Sequence, residues 1–94
     1  MFHKGQLVRI DPSKLHEAYP EESESFLQEW YRNFRDRYSP ILTVDYVTES
    51  GGRTFVHVFI KYLNGSTVSG FYRISTLVPV QEEDLDFIDI ELFV

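Results

Sequence analysis

The sequence predicts a mostly β domain of the α+β class: a small, partly open antiparallel barrel of five or six strands, with one amphipathic helix inserted after the first strand. Three observations lead to this prediction. Short segments of alternating or β-branched residues recur along the chain, and turn-forming pairs separate them. One stretch in the first half repeats its apolar residues every four positions, as a helix does. With 94 residues, the chain has room for one domain.

The first strand is predicted at residues 6–10, where alternate side chains share a face. The helix is predicted over residues 20–38. Pro20 suits its first turn, and Ser39-Pro40 ends it, because the residue before a proline is disfavoured in helical geometry. The apolar stripe of this helix consists of Phe26, Trp30, Phe34 and Tyr38. We expect the stripe to close one opening of the barrel, with Trp30 buried at its centre.

Three strands are expected to follow the helix as an antiparallel meander, at residues 41–48, 54–63 and 66–73. The Asn64-Gly65 pair between the last two is a strong hairpin signal. The middle strand is largely apolar on both faces, which predicts that it is covered on each side. A single helical turn at residues 74–77 and a short strand at 78–80 complete the body.

Two segments resemble parts of the Src-homology-3-like (SH3-like) small barrel superfamily. Residues 4–10 (KGQLVRI) are similar to its glycine–polar–x–valine–x–isoleucine entry strand, and residues 74–80 (ISTLVPV) to its helical turn and closing strand. The resemblance spans residues 1–80 and implies an SH3-like barrel. Members of this family bind proline-rich peptides, nucleic acid or larger assemblies, so the resemblance leaves the class of ligand open. The inserted helix and the segment after residue 80 depart from the minimal barrel.

The C-terminal tail, defined as residues 81–94, differs in composition from the rest of the chain. It holds six of the 15 acidic residues and none of the nine basic ones, so the net charge of −6 resides there. From residue 88 onwards, Ile88, Ile90, Leu92 and Val94 alternate with Asp89, Glu91 and Phe93, a two-residue period typical of a strand. We predict that a partner is bound by Glu82, Glu83, Asp84, Asp86, Phe87, Asp89, Glu91 and Phe93. The competing interpretation is an extra edge strand or a lid over the barrel, and a homodimer could form through such a strand.

No combination of residues predicts catalysis. The chain lacks cysteine, which removes disulfides, thiolate chemistry and cysteine-based zinc sites. Its three histidines are too far apart for a zinc-binding helix. Gly51-Gly52 joins two strands and does not precede a helix, so it is no phosphate loop. We therefore expect neither an enzyme nor a metal or cofactor site.

Two alternatives involve nucleic acid or its mimicry. An arginine cluster could bind phosphate, and it would consist of Arg32, Arg35, Arg37 and Arg53. The net charge of −6 argues against nucleic-acid binding. The acids of the tail could instead mimic a phosphate backbone and inhibit a DNA-binding protein. A groove for proline-rich peptides around Tyr19, with Glu17, Glu21 and Glu22, is a further alternative.

The sequence thus predicts a non-catalytic protein–protein interaction module. We expect a small accessory, adaptor or inhibitor protein of bacterial or phage character, which contacts a protein partner through its tail and the surface of its helix. The N-terminal residues contain no hydrophobic signal region, and no apolar run approaches the ~20 residues of a membrane span. A cytoplasmic location without membrane contact is therefore expected.

Overall fold

The computed structural model describes residues 2–81, which form one five-stranded antiparallel sheet and two α-helices. The strands are β1 (Leu7–Ile10), β2 (Leu42–Ser50), β3 (Arg53–Lys61), β4 (Thr67–Arg73) and β5 (Leu77–Pro79). The helices are α1 (Leu15–Ala18) and α2 (Glu24–Arg37), and 3₁₀ turns lie at Pro12–Lys14 and Ile74–Thr76. The order across the sheet is β4-β3-β2-β1-β5, so β4 and β5 form its edges in this part of the chain. The mostly β, α+β class is confirmed.

The main helix, α2, begins four residues later than predicted, because Ser23 and not the Pro20 region caps it. The Phe26 N–H donates a hydrogen bond to Ser23 Oγ at 3.2 Å, which satisfies one of the N–H groups that lack an intrahelical partner. Glu21, expected in the first helical turn, instead forms an ion pair with Arg73 on the sheet. A tertiary contact therefore holds this segment outside the helix.

The core lies between α2 and one face of the sheet, which we call the inner face. The sheet contributes Val8, Leu42, Val44, Val56 and Val58, all at most 1% exposed. From the helix, Leu27 and Phe34 are buried. The prediction for the apolar stripe is wrong at Phe26, which is 52% exposed, and holds in part at Trp30, which packs against the core but is only partly buried. A four-residue step rotates about 40° past a full helical turn, so a stripe with this spacing winds away from the core.

The opposite face of the sheet, the outer face, is less covered than predicted. On β3, Val56, Val58 and Ile60 point into the core, whereas Phe59 on the other side is 42% exposed. The expectation that β3 is covered on both sides is therefore wrong for the described part of the chain. A strand with apolar residues on both faces has the same sequence pattern whether its second face is covered or is exposed and aromatic.

A β-bulge at Asp45 determines which side chains of β2 lie on the outer face. The pairing of β2 with β3 shifts by one residue between Val44 and Tyr46, which leaves Asp45 without a partner on β3. Such an extra residue breaks the strict alternation of side chains. Asp45 and Tyr46 consequently both project from the outer face, where Tyr46 lies opposite His57. The inward alternation then resumes at Val47.

Candidate functional site

Four aromatic rings form a cluster on the outer face, across the neighbouring strands β2, β3 and β4. This outer aromatic face consists of Tyr46, His57, Phe59 and Phe71. The ring of His57 lies at its centre, with centroids 4.9 Å from Tyr46, 4.7 Å from Phe71 and 5.8 Å from Phe59. Cross-strand pairing places these residues together, because His57 pairs with both Tyr46 and Phe71.

The rings around His57 are open to solvent. Tyr46 is 47%, Phe59 42% and Phe71 52% exposed. A contiguous exposed apolar patch on a small protein commonly marks an interaction site. An incoming ligand would meet ring faces and ring edges, and aromatic rings contribute binding energy with few side-chain torsions to immobilise.

Asp45 orients the central ring of this cluster. Its Oδ2 lies 3.0 Å from Nδ1 of His57, and both side chains are mostly buried. A proton on Nδ1 would make the imidazole the donor in this hydrogen bond. The bond holds the imidazole plane within 24° of the Tyr46 ring. The bulge thus supplies both the carboxylate that positions His57 and the ring that stacks on it.

A second apolar surface lies between α2 and the edge strand β4. This edge groove has a volume of about 280 Å³, and its walls include Tyr19, Phe26, Trp30, Phe71 and Tyr72. Burial raises the pKa of Tyr72 to about 12, so its hydroxyl stays protonated at neutral pH. The Trp30 ring meets the Tyr72 ring edge-on at 6.0 Å and forms the floor where helix and strand converge. The groove is therefore largely aromatic and apolar, and Glu22 is the acidic residue in its lining.

Arg73 at the end of β4 ties the connection between α1 and α2 to the sheet. Its Nη1 donates to the Ala18 carbonyl at 2.7 Å, and its guanidinium lies 4.3 Å from the centre of the Tyr19 ring. The hydrogen bond from Arg73 lowers the pKa of Glu21 to about 2, with a smaller contribution from the charge of Arg53. Arg73 thus covers one face of the Tyr19 ring, and Tyr19 also lines the edge groove.

The structure separates the arginines that the sequence grouped as a nucleic-acid site. Arg32, Arg35 and Arg37 are exposed near the C-terminal end of α2. The Arg37 carbonyl accepts a hydrogen bond from Leu63, just beyond the end of β3. Arg53 begins β3 and lies 3.7 Å from Glu21. The length of β3, roughly 26 Å, therefore separates Arg53 from Arg37.

The predicted partner-binding residues of the tail, from Glu82 to Phe93, lie outside the described residues. Sequence reasoning missed the outer aromatic face. The alternation of Phe55, His57 and Phe59 contains the signal, but an aromatic and apolar face of this kind is equally typical of a covered strand. Tyr46 could not be assigned to that face, because the bulge that turns it outwards has no local sequence signal.

No family model, curated protein or solved structure matches the chain. Within residues 2–81, no three histidine or acidic side chains come together in an arrangement that could hold a metal ion. The same part of the chain contains no helix of the length and apolarity needed to cross a membrane.

Proposed function

We propose that the protein is a non-catalytic protein–protein interaction module whose outer aromatic face binds a protein partner. The observation that carries this proposal is the exposure, between 42% and 52%, of Phe59, Tyr46 and Phe71 around one oriented histidine. Aromatic residues are enriched in the energetically dominant centres of protein interfaces, where a partner excludes water from them.

The backbone beneath the outer aromatic face supports this proposal. Its four residues lie on strands that are paired over seven or more residues, and the other side of these strands forms the core. A surface built on a packed sheet is preorganised, so little conformational entropy is lost when a partner binds. We infer an accessory, adaptor or inhibitor role, since such modules act by binding alone.

We further infer that the sheet is a partly open SH3-like barrel. Two features support this inference: β5 pairs with β1 at one end of the strand order, and β2, β3 and β4 follow as a meander. The 3₁₀ turn Ile74–Thr76 joins β4 to β5 and lies where the resemblance expects a helical turn. In this arrangement α2 occupies the long excursion between the first two strands.

The tail favours a partner with a basic surface. Its six acidic residues and lack of basic ones would attract positive charge and accelerate encounter. Aromatic contacts at the outer face and charge attraction by the tail can act together, because burial supplies affinity and charge mainly supplies association rate.

Affinity capture with surface variants tests the proposal. The baits are the wild-type chain, an outer-face variant (Tyr46→Ser with Phe59→Ser) and a control on α2 (Arg32→Ser with Arg35→Ser), each first shown to be folded by circular dichroism. We expect a protein captured by wild type and control, with affinity for the purified partner reduced at least about 30-fold by the outer-face changes. Equal affinity for all three baits would contradict the proposal.

A second candidate, single-stranded nucleic acid, is favoured by one observation. In several sheet-based modules, the bases of single-stranded nucleic acid stack on exposed aromatic rings of adjacent strands. Two features argue against it: the Asp45 carboxylate lies within the face, and Arg53 lies about the length of β3 from Arg37 at the end of α2. Protein binding therefore remains the preferred function.

A further inference from the structure

We propose that the edge of β4 and the edge groove receive the end of the chain's own tail, residues 88–94, as an additional strand. This surface shares Phe71 with the outer aromatic face but lies along the edge of β4 and not over Tyr46, His57 and Phe59, so the two proposals can be tested separately. It follows from the orientation of the β4 backbone, the position of the groove, the pattern of the tail and its reach.

Alternate residues of β4 direct their backbone groups away from the sheet. The Tyr62 N–H donates to the Ser66 carbonyl at 2.8 Å, which marks a hydrogen-bonded pair just before β4. Such pairs alternate along an antiparallel ladder, and the pairing of β3 with β4 is regular. The backbone groups of Ser69, Phe71 and Arg73 therefore point outwards. Arg73 bears this out independently, because its N–H donates to the Tyr19 hydroxyl at 3.2 Å.

The edge groove runs along this edge. Phe71 and Tyr72 are consecutive in a strand, so their side chains point to opposite faces. A groove lined by both must border the edge between those faces. Phe26, 52% exposed on α2, forms the opposite wall. An extended segment added to β4 would thus make backbone hydrogen bonds to Ser69 and Phe71 and place alternate side chains in the groove.

The tail has the pattern that this surface requires. Ile88, Ile90, Leu92 and Val94 share one face of an extended segment, and Asp89, Glu91 and Phe93 lie on the other. With the apolar face in the groove, the acids remain in solvent and available to a basic partner. Burial of apolar residues beside exposed acids is the usual arrangement of an edge strand.

The length and starting point of the tail permit this docking within one chain. Val80 donates to the Leu7 carbonyl at 3.1 Å, so the tail starts beside the β1–β5 edge. The seven steps from Gln81 to Ile88 can extend about 23 Å, and five strands span roughly 19 Å from first to last. Attachment to the same chain gives an effective concentration on the order of millimolar, which favours the chain's own groove over that of a second copy.

The alternative edge, β5, is the weaker acceptor. It contains only three residues, Leu77–Pro79, and Pro79 has no N–H to donate. We therefore expect the tail to pair with β4 and not with the neighbouring strand β5.

Amide hydrogen exchange in the full-length chain tests the proposal, because the outward amides of Ser69 and Phe71 should be protected only when a strand covers them. The test variant is Ile90→Asp with Leu92→Asp, and its matched control is Asp89→Asn with Glu91→Gln, which alters the solvent face of the same segment. We expect exchange at both amides to accelerate at least about tenfold in the test variant and to stay unchanged in the control.

Trp30 provides a second readout, since it is the only tryptophan and lies in the groove. Its fluorescence should become roughly twofold more sensitive to iodide in the test variant, as the tail no longer shields it. Exchange at Ser69 and Phe71 as fast as at Gly51 in the wild type would overturn the proposal. Protection that sedimentation shows to require a dimer would also overturn it, because a second copy would then supply the strand. A Phe59→Ser change, which tests the proposed function, should leave this exchange unaltered.

Discussion

Phe34, rather than Trp30, joins α2 to the sheet. It is 6% exposed, and its ring contacts those of Trp30 at 5.5 Å, Tyr38 at 4.9 Å and Tyr72 at 6.3 Å. Trp30 stacks on the outside of Phe34 and remains partly exposed. Trp30, at the centre of the predicted stripe, therefore covers Phe34, and Phe34 fills the core.

The loss of unfolding free energy on substitution by alanine should increase with the buried fraction of the side chain, from Phe26 through Trp30 to Phe34. Phe34→Ala is expected to lower the free energy of unfolding by about 3–5 kcal/mol, because it leaves a cavity in the core. Trp30→Ala should cost about 1–3 kcal/mol and Phe26→Ala less than about 1 kcal/mol. Urea unfolding followed by circular dichroism measures all three. A larger loss for Trp30 than for Phe34 would show that the helix is rotated from the position described.

Glu21 should make stability depend on pH in the acid range. Its pKa lies at about 2, below its usual 4.5, chiefly because Arg73 donates a hydrogen bond to it. A depressed carboxyl pKa stabilises the fold above pH 4.5, and this contribution is lost as pH falls from 4.5 to about 2. Melting midpoints of wild type and Glu21→Gln should differ most near pH 6 and converge near pH 2. Glu49→Gln, at the exposed end of β2, serves as control, and a constant difference across this range would refute the assignment.

At the scale of elements, the bulge in β2 makes Asp45 and Thr43 differ in their tolerance of deletion, although both are polar residues beside Val44. Asp45 is the extra residue, so a chain without it can pair Val44, Tyr46 and Val47 with β3 in unbroken alternation. Thr43 lies between the buried residues Leu42 and Val44. Without Thr43, these two would be consecutive and one would have to leave the core, since neighbours in a strand face opposite ways.

Single-residue deletions test this difference. Deletion of Asp45 should cost about 1 kcal/mol, largely the hydrogen bond to His57. Deletion of Thr43 should cost at least roughly 2–3 kcal/mol through lost burial alone. Thermal unfolding of the two proteins compares them directly. Equal destabilisation would mean that the bulge, and not only the register, is needed for folding.

For the whole molecule, charge distribution predicts weak affinity for nucleic acid. The net charge is −6, and Arg53 lies about the length of β3 from Arg37 at the end of α2, so the four arginines are not one compact cluster. Dissociation constants for 20-nucleotide single- and double-stranded DNA should be weaker than about 10⁻⁴ M at physiological salt. Fluorescence anisotropy measures them. Tight, salt-sensitive binding that is abolished by Arg32→Ala with Arg35→Ala would favour the nucleic-acid alternative.

The agreement between sequence and structure is closest where the signal is local. The Asn64-Gly65 turn joins β3 to β4, with Gly65 at a φ of +96° that favours glycine and the Ser66 N–H donating to Asn64 Oδ1. The predicted strands agree with the observed ones within about two residues. The start of α2 disagrees because the competing interaction of Glu21 is with Arg73, more than fifty positions away.

The sequence by itself determined the mostly β class, the order of the elements and the concentration of negative charge in the tail, because turn residues, β-branched runs and charges act through neighbours a few positions apart. Only the tertiary structure decided which aromatic residues are buried and which are presented. The rotation of α2 on the sheet placed Phe34 inside and Phe26 outside, and the bulge at Asp45 turned Tyr46 towards His57. Both depend on packing between residues distant in sequence, which no local pattern encodes.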